Sequence, residues 1–321
     1  MSGNRQSGSR SDSGHEASIP AGFPVAITGA NGLVGSALAS FLASAGHTVR
    51  SLVRRPDGRA GQYAWEPAAR ALDPAALENV GAVVHLAGES IADHRWTSDI
   101  KSRILSSRTQ GTQFLCETLA RLEKPPEVLV SASAIGFYGD RGAETLDETS
   151  SRGRGFLAEV CEQWERSTTV ARDAGIRVVV LRLGVVVTPA GGALAKMLTP
   201  FRLGGGAMLG SGRQYVSWIA LEDVLSAALH CIRDGRLDGP VNATAPVAVT
   251  NAELTRTLAS VLGRPAMLRV PAFVLRGIAG EMADEMLLAS AKVLPRRLEK
   301  SGFVFRHPEL RGALCDMLGA A

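Results

Sequence analysis

Glycines stand three residues apart at 29, 32 and 35 in the stretch Pro-Val-Ala-Ile-Thr-Gly-Ala-Asn-Gly-Leu-Val-Gly (24–35). The chemistry open to such a spacing is phosphate binding. Val25 to Thr28 is short, partly β-branched and followed at once by glycine, as a buried parallel strand should be. From Val34 the apolar residues fall at 34, 38, 41, 42 and 45, one face of a helix. The glycines therefore sit in a strand-to-helix turn. Gly29 permits the tight turn, Gly32 lets backbone approach a pyrophosphate, and Gly35 lets helix and strand pack closely. The anion would lie on the free N–H groups and positive dipole end of the helix, held by Gly29, Asn31, Gly32, Leu33, Val34 and Gly35.

Two further groups fit a dinucleotide. A second strand over 47–53 ends in Arg54, Arg55 and Pro56, with no acid before Asp57. An acid at this position would bond the ribose hydroxyls of NAD; arginine favours the 2′-phosphate of NADP, so NADP(H) is the expected cofactor. The next buried strand, 82–86, leads into Ala87 and Gly88. Small residues there let backbone pass close to a cofactor, and Leu86, Ala87 and Gly88 are expected to line the crevice on the nicotinamide side.

The elements that must position these groups alternate. A long helix over 99–122 stops at Pro125-Pro126, a strand follows over 127–132, a helix over 156–174 and a strand over 176–181. This alternation predicts an α/β fold with a doubly wound parallel sheet of Rossmann type and ligands at the strand carboxyl ends. Within the helix over 156–174, Trp164 reads as core. Residues 188–216, rich in glycine, read as loops over the sheet, and a helix starts near Glu222-Asp223. Thr250 with Glu253 forms a capping box for a helix through Leu262. The region 270–295 reads as helical, with Glu281, Asp284 and Glu285 on a solvated face. The expected domains are a disordered tail over 1–22, a cofactor-binding domain over 23–187 with later strands from 216–246, and a smaller α+β substrate region over 188–315.

Composition narrows the function. At 321 residues the chain can bury a large core, and 45% apolar with 21% charged residues is ordinary for a globular protein. A net charge of +4 without basic blocks excludes a nucleic-acid reading. Cys116, Cys161, Cys231 and Cys315 lie far apart, so reduced thiols are expected rather than a zinc site or disulfide framework. The chain shows neither a signal peptide nor a membrane span, and a cytoplasmic location is expected.

With these residues in place the chain resembles the extended short-chain dehydrogenase/reductases. Thr28-Gly29-x-x-Gly32-x-x-Gly35, His85-Leu-Ala-Gly88 and Ser131-Ala-Ser133 followed by Tyr138-Gly139 carry the likeness. It is closer to one atypical branch, the NAD-dependent epimerase/dehydratase-like "epimerase family" proteins. The stretches 86–93, 131–139, 191–198, 210–219 and 241–246 carry it, with a carboxyl-terminal module over about 268–315. The resemblance implies a Rossmann domain holding NADP(H). It also places Ser133 where the superfamily has a hydroxyl that polarises a carbonyl; the proton-transfer group is expected to be Tyr138 or a bound water. Arg108-Thr-Gln-Gly-Thr112 is similar to the superfamily's Asn-x-x-Gly-Thr with arginine for asparagine, which aims Arg108 at the cofactor crevice. Two departures count against ordinary chemistry. The helix at 156 carries no Tyr-x-x-x-Lys, and Gly210-x-Gly212-x-Gln214-x-Val216 has valine where nucleotide-sugar epimerases carry a diphosphate-binding arginine. The expected function is an oxidoreductase or epimerase-like enzyme on a small molecule, with Trp218 at the pocket wall. The alternative is a redox sensor or interaction protein that binds NADP(H) without turnover.

Overall fold

The buried β-branched runs of the chain lie side by side in one large sheet. The structure, a computed structural model, describes residues 22–320; nearly all of the expected tail falls outside them. Val25–Thr28 (β1), Val49–Val53 (β2), Gln62–Glu66 (β3), Ala71–Leu72 (β4), Ala82–His85 (β5) and Val128–Ala134 (β6) enter it in turn. Arg177–Leu183 and Gly239–Ala243 then extend the edge beyond β6, so the order is 239–243, 177–183, β6, β5, β1, β2, β3, β4. All neighbours are parallel except β3 and β4. The chain order reverses beside β1, which makes the crevice at the ends of β1 and β5 the natural ligand site.

Both faces are covered, as a parallel sheet requires. On one face Leu33–Ser44 (α1) buries Leu38 and Leu42 with Val224, Leu225 and Ala228 of helix Leu221–Arg233. On the other, Ser98–Ala120 (α2) buries Phe114, Leu115 and Leu119 beside Ala171. Leu298, Phe303 and Phe305 return to the first face, and Asp223 accepts the N–H groups of Arg306 and His307 at 2.7 and 3.0 Å. The carboxyl-terminal segment is thereby tied to the main sheet's helices.

Several elements differ from expectation. Residues 188–216 hold a helix, Gly192–Arg202, whose Leu194, Leu198 and Phe201 enter a separate core. The surrounding glycines hide this spacing; Gly192, at φ +66°, turns the chain into the helix. The helix over 156–174 is two pieces, Phe156–Arg166 (α3) and Thr169–Asp173. Ser167 and Thr168 hydroxyls bond back to Gln163 O and Glu165 O at the break (2.8 and 2.7 Å), competing with the helical ladder. From 216–246 only Gly239–Ala243 joins the main sheet; Trp218–Ala220 pairs with Val185–Val187 instead. The region 270–295 is helix Ala272–Ala279, a π-turn over Ala283–Leu288 and a strand Lys292–Val293. The capping box is present, Thr250 with Glu253.

The turn after β1 is locked from both sides. Thr28 lies opposite His85 in the β1–β5 register, which sets Gly29 against Leu86. A Cβ on Gly29, at φ +70°, would meet Leu86 C and O at 2.8 Å; one on Gly35 would collide with Gly29 O. Behind the turn Thr28 Oγ1 accepts from Leu86 N and Ala87 N at 3.2 and 3.3 Å. Its proton therefore goes to His85 Nδ1 at 2.6 Å, and His85 Nε2–H donates to Thr112 Oγ1 at 2.9 Å on α2. His85 is fully buried, and burial lowers its pKa from the usual 6.5 to about 4, so it is neutral.

Two outcomes follow from this packing. Gly35→Ala is expected to lose about 2 kcal/mol or more of stability in urea, because backbone must move to admit the methyl group; a loss below about 0.5 kcal/mol would contradict the fit. His85, with its folded pKa depressed, contributes stability that is whole above pH 6.5 and is lost as pH falls towards 4. His85→Gln is expected to remove roughly 3 kcal/mol of the difference between neutral and acid stability. Parallel stability-against-pH curves for the two proteins would show that His85 is not the group responsible.

Candidate functional site

Helix α1 begins at Gly32 with no side-chain cap and no acid in its first turn. Its first N–H groups thus keep their capacity for an outside acceptor. They face a crevice of about 340 Å³ lined at one end by Gly29, Gly32, Leu33, Val34 and Gly35 and at the other by Leu86, Arg108, Ser133 and Trp164. Asn31 stands exposed on the turn. The glycine cradle fits a pyrophosphate, since side chains at Gly29 and Gly35 would clash and none is there to block the helix end.

Not every expected contact lies in the crevice wall. Leu86 does; Ala87 and Gly88 do not. The Ala87 N–H is spent on Thr28, and a Cβ on Gly88 would sit 3.3 Å from the Arg108 guanidinium carbon, so Gly88 makes room for that arginine. Arg54 and Arg55 follow β2 directly, are exposed, and make no ion pair or hydrogen bond among the described residues. With Thr28 opposite Leu52, they emerge just past the level of Gly29.

A second cavity of about 590 Å³ shares Arg108, Ala134, Trp164, Leu183 and Gly184 with the first. Its far wall is Met286 to Ala289, so residues beyond 270 close it. Glu285 holds this wall in place. Its carboxylate accepts the N–H groups of Phe156 and Leu157 at 2.6 and 2.7 Å, capping α3, and is not part of the solvated face expected for it. Glu281 pairs with Lys101 and Asp284 with Arg276.

Arg108 stands between the two spaces. Its Nη1 donates to Glu89 O and Ile104 O at 3.0 and 3.2 Å, and its guanidinium lies 5.0 Å from the Trp164 ring centre. Burial pulls its pKa down, against the pull of Cys161 and Glu89. Trp164 is core, as expected, and at 6% exposure still lines both cavities.

Ser133 reaches the first crevice, but its Oγ donates to Glu165 Oε1 at 2.7 Å. The hydroxyl proton is thereby committed, and the oxygen is left to accept a hydrogen bond from a ligand. Glu165 is gripped by Arg182 through Nε and Nη2 at 2.8 and 2.7 Å, a bidentate pair with Arg182 only 4% exposed. Tyr138 is a correction. It lines neither cavity and is wholly buried, its hydroxyl donating to Asn242 Oδ1 at 2.8 Å and accepting from Arg182 Nη1 at 3.0 Å. Burial raises its pKa, partly countered by Arg182. In this position its hydroxyl links Asn242 to Arg182 and reaches neither cavity. Trp218 is likewise core, fully buried with Nε1 donating to Val247 O at 3.0 Å, and not a pocket wall.

The sequence reading missed the Glu165–Arg182 pair, the wall formed by Leu183, Gly184 and Val186, and the clasp made by Glu285. One signal was visible: Arg182 interrupts the apolar run over 178–187, and a charge buried there needs a partner. No group of acids, histidines and cysteines able to hold a metal occurs among the described residues, and no described helix is long and apolar enough to cross a membrane.

Comparison with known proteins agrees with this architecture. Residues 25–243 match the model of the NAD dependent epimerase/dehydratase family, and residues 270–317 match a domain of unknown function. The epimerase family protein MT2273 of Mycobacterium tuberculosis is 44% identical over 290 residues, 90% of this chain and 96% of that one. The human epimerase family protein SDR39U1 is 33% identical over 297 residues, 92% and 99% of the two chains. The crystal structure of human SDR39U1 (isoform 2) with NADPH superposes with a TM-score of 0.86 at 33% identity, covering 92% of this chain and 99% of that one. A nucleoside-diphosphate sugar epimerase from Corynebacterium glutamicum gives 0.78 at 36% identity, with 93% of this chain and 59% of that chain covered.

Breaking the buried pair should be severe. Glu165→Gln leaves the Arg182 guanidinium buried without its counter-charge, and a loss of about 3–5 kcal/mol in urea-induced unfolding is expected. A loss under about 1 kcal/mol would mean the charge is screened by water or by another acid.

Proposed function

Because this chain belongs to the NAD dependent epimerase/dehydratase family, we propose that it holds NADP(H) in the glycine crevice and acts as an oxidoreductase or epimerase-like enzyme on a small molecule in the adjoining cavity. The observation that carries this reading is that the two spaces adjoin: an uncapped helix end at one side and a largely apolar cavity at the other, with Arg108 and Trp164 in the walls of both. The NADPH in the human SDR39U1 structure supports the cofactor choice.

When bound, the nicotinamide supplies or takes a hydride. The chain's residues do the rest. The N–H groups of α1 hold the pyrophosphate, and Arg54 and Arg55 hold the 2′-phosphate from their exposed position after β2. Leu86 and Val186 give the ring an apolar wall, and residues 286–289 form one wall of the second cavity, which takes the substrate. Ser133 accepts a hydrogen bond from a substrate hydroxyl and, through Glu165 and Arg182, keeps one orientation. The face of α3 that enters the second cavity, Leu157, Val160 and Cys161, carries no phenol and no amine. That face, together with the sealed Tyr138, favours a second reading: an NADP(H)-dependent sensor or interaction protein without turnover.

Equilibrium titration separates the cofactors. Replacing both Arg54 and Arg55 by alanine should weaken NADPH roughly 10- to 100-fold, the value of one or two charge-assisted contacts, and leave NADH nearly unchanged. Equal weakening of both would remove the 2′-phosphate assignment. Turnover of any carbonyl or alcohol, followed by NADPH absorbance and lost in Ser133→Ala while cofactor still binds, would decide for the enzyme over the sensor.

A further inference from the structure

The carboxylates in the wall of the second cavity are all engaged. Asp284 pairs with Arg276 at 2.9 Å, and Glu285 caps α3. Asp140 accepts the N–H groups of Gly142 and Ser290 at 3.2 and 3.1 Å. Two guanidinium groups in the same wall are not matched by an acid. Arg154, exposed at the rim, makes no ion pair among the described residues. Among the described residues Arg108 uses only Nη1, on two backbone carbonyls, and Glu89, the acid that acts on it electrostatically, is paired with Arg103.

A half-buried cation without an anion is held at an electrostatic loss, which an incoming anion reverses. The unspent edge of Arg108, Nε and Nη2, is a planar fork of donors, the shape that a carboxylate meets with two parallel hydrogen bonds. Around it the cavity is apolar, with Ile135, Leu157, Val160 and Leu288 in the wall.

We infer that the second cavity takes a small organic acid, its carboxylate on the free edge of Arg108 and its apolar body against Leu157, Val160 and Leu288, with Arg154 drawing the anion in from solvent. Arg108 also lines the first crevice, so the acid group lies next to the space assigned to the nicotinamide. Only that last placement rests on the proposed cofactor reading.

Octanoate, methyl octanoate and 1-octanol, titrated calorimetrically into the full chain with and without saturating NADPH, test the inference. Octanoate is expected to bind roughly 10- to 100-fold more tightly than the ester or the alcohol. Arg108→Met should abolish this preference, and Arg108→Lys should restore only part of it, since an ammonium lacks the fork. Arg154→Ala, at an exposed site where folding is not at risk, should weaken octanoate about threefold and leave the alcohol unchanged. Equal binding of acid and alcohol to the wild-type protein overturns the inference, as does a preference that survives Arg108→Met. So does the absence of octanoate binding in both states. NADPH binding without acid selectivity would sink this inference alone; acid selectivity without NADPH binding would sink the cofactor reading alone.

Discussion

The close approach of the β1–α1 turn to the end of β5 is the constraint on which the rest depends. Gly29 lies against the Leu86 backbone at a distance no side chain allows, and Gly35 closes on Gly29 from the helix. The Thr28–His85–Thr112 chain of hydrogen bonds ties β1, β5 and α2 together behind the turn. Its polarity follows from two backbone N–H groups that use the lone pairs of Thr28 and so force its proton towards His85. A fully buried neutral histidine is tolerated because both ring nitrogens have partners. The turn is thus held in place by side chains that lie behind it.

The second constraint comes from far along the chain. Residues 270–317 form more than an appendage, because Glu285 sits on the amino-terminal end of α3 and its neighbours wall the second cavity. The carboxylate takes two N–H groups that an isolated helix would leave to water, a favourable match of charge and dipole. Phe156, the first residue of that helix, is meanwhile packed against Trp96 and beneath Lys101. The cavity therefore exists only when both regions are present and docked.

Where the extended dehydrogenases place a phenol and a lysine, this protein places apolar side chains, and it keeps its ionic chemistry one layer deeper. Ser133, Glu165, Arg182, Tyr138 and Asn242 form a continuous chain of hydrogen bonds from the crevice into the sheet. Every member is satisfied, which makes the network a device for rigidity and orientation. Its single exit to the crevice is the Ser133 oxygen, as an acceptor.

Local sequence determined the strands near 25–28, 47–53, 82–86, 127–132 and 176–181, the glycine turn, the first two helices and the Thr250 cap, but not Gln62–Glu66 or Ala71–Leu72. What it did determine depends on spacing and steric rules that act within a few residues. It also singled out the arginines after β2, whereas Arg108 came from the family resemblance. Tertiary structure alone decided what became of Tyr138, Trp218, Glu285 and the 188–216 region. Tyr138 and Trp218 carry polar atoms whose partners, Asn242 and Val247 O, lie 104 and 29 residues away, so no local pattern could show that they are buried. Glu285 looked like one more surface acid until α3, 129 residues earlier, supplied the N–H group that holds it. Helix 192–202 was hidden because flanking glycines mask the apolar face that only the core beneath it reveals. Partners distant in sequence are fixed by packing, and packing is a property of the folded chain.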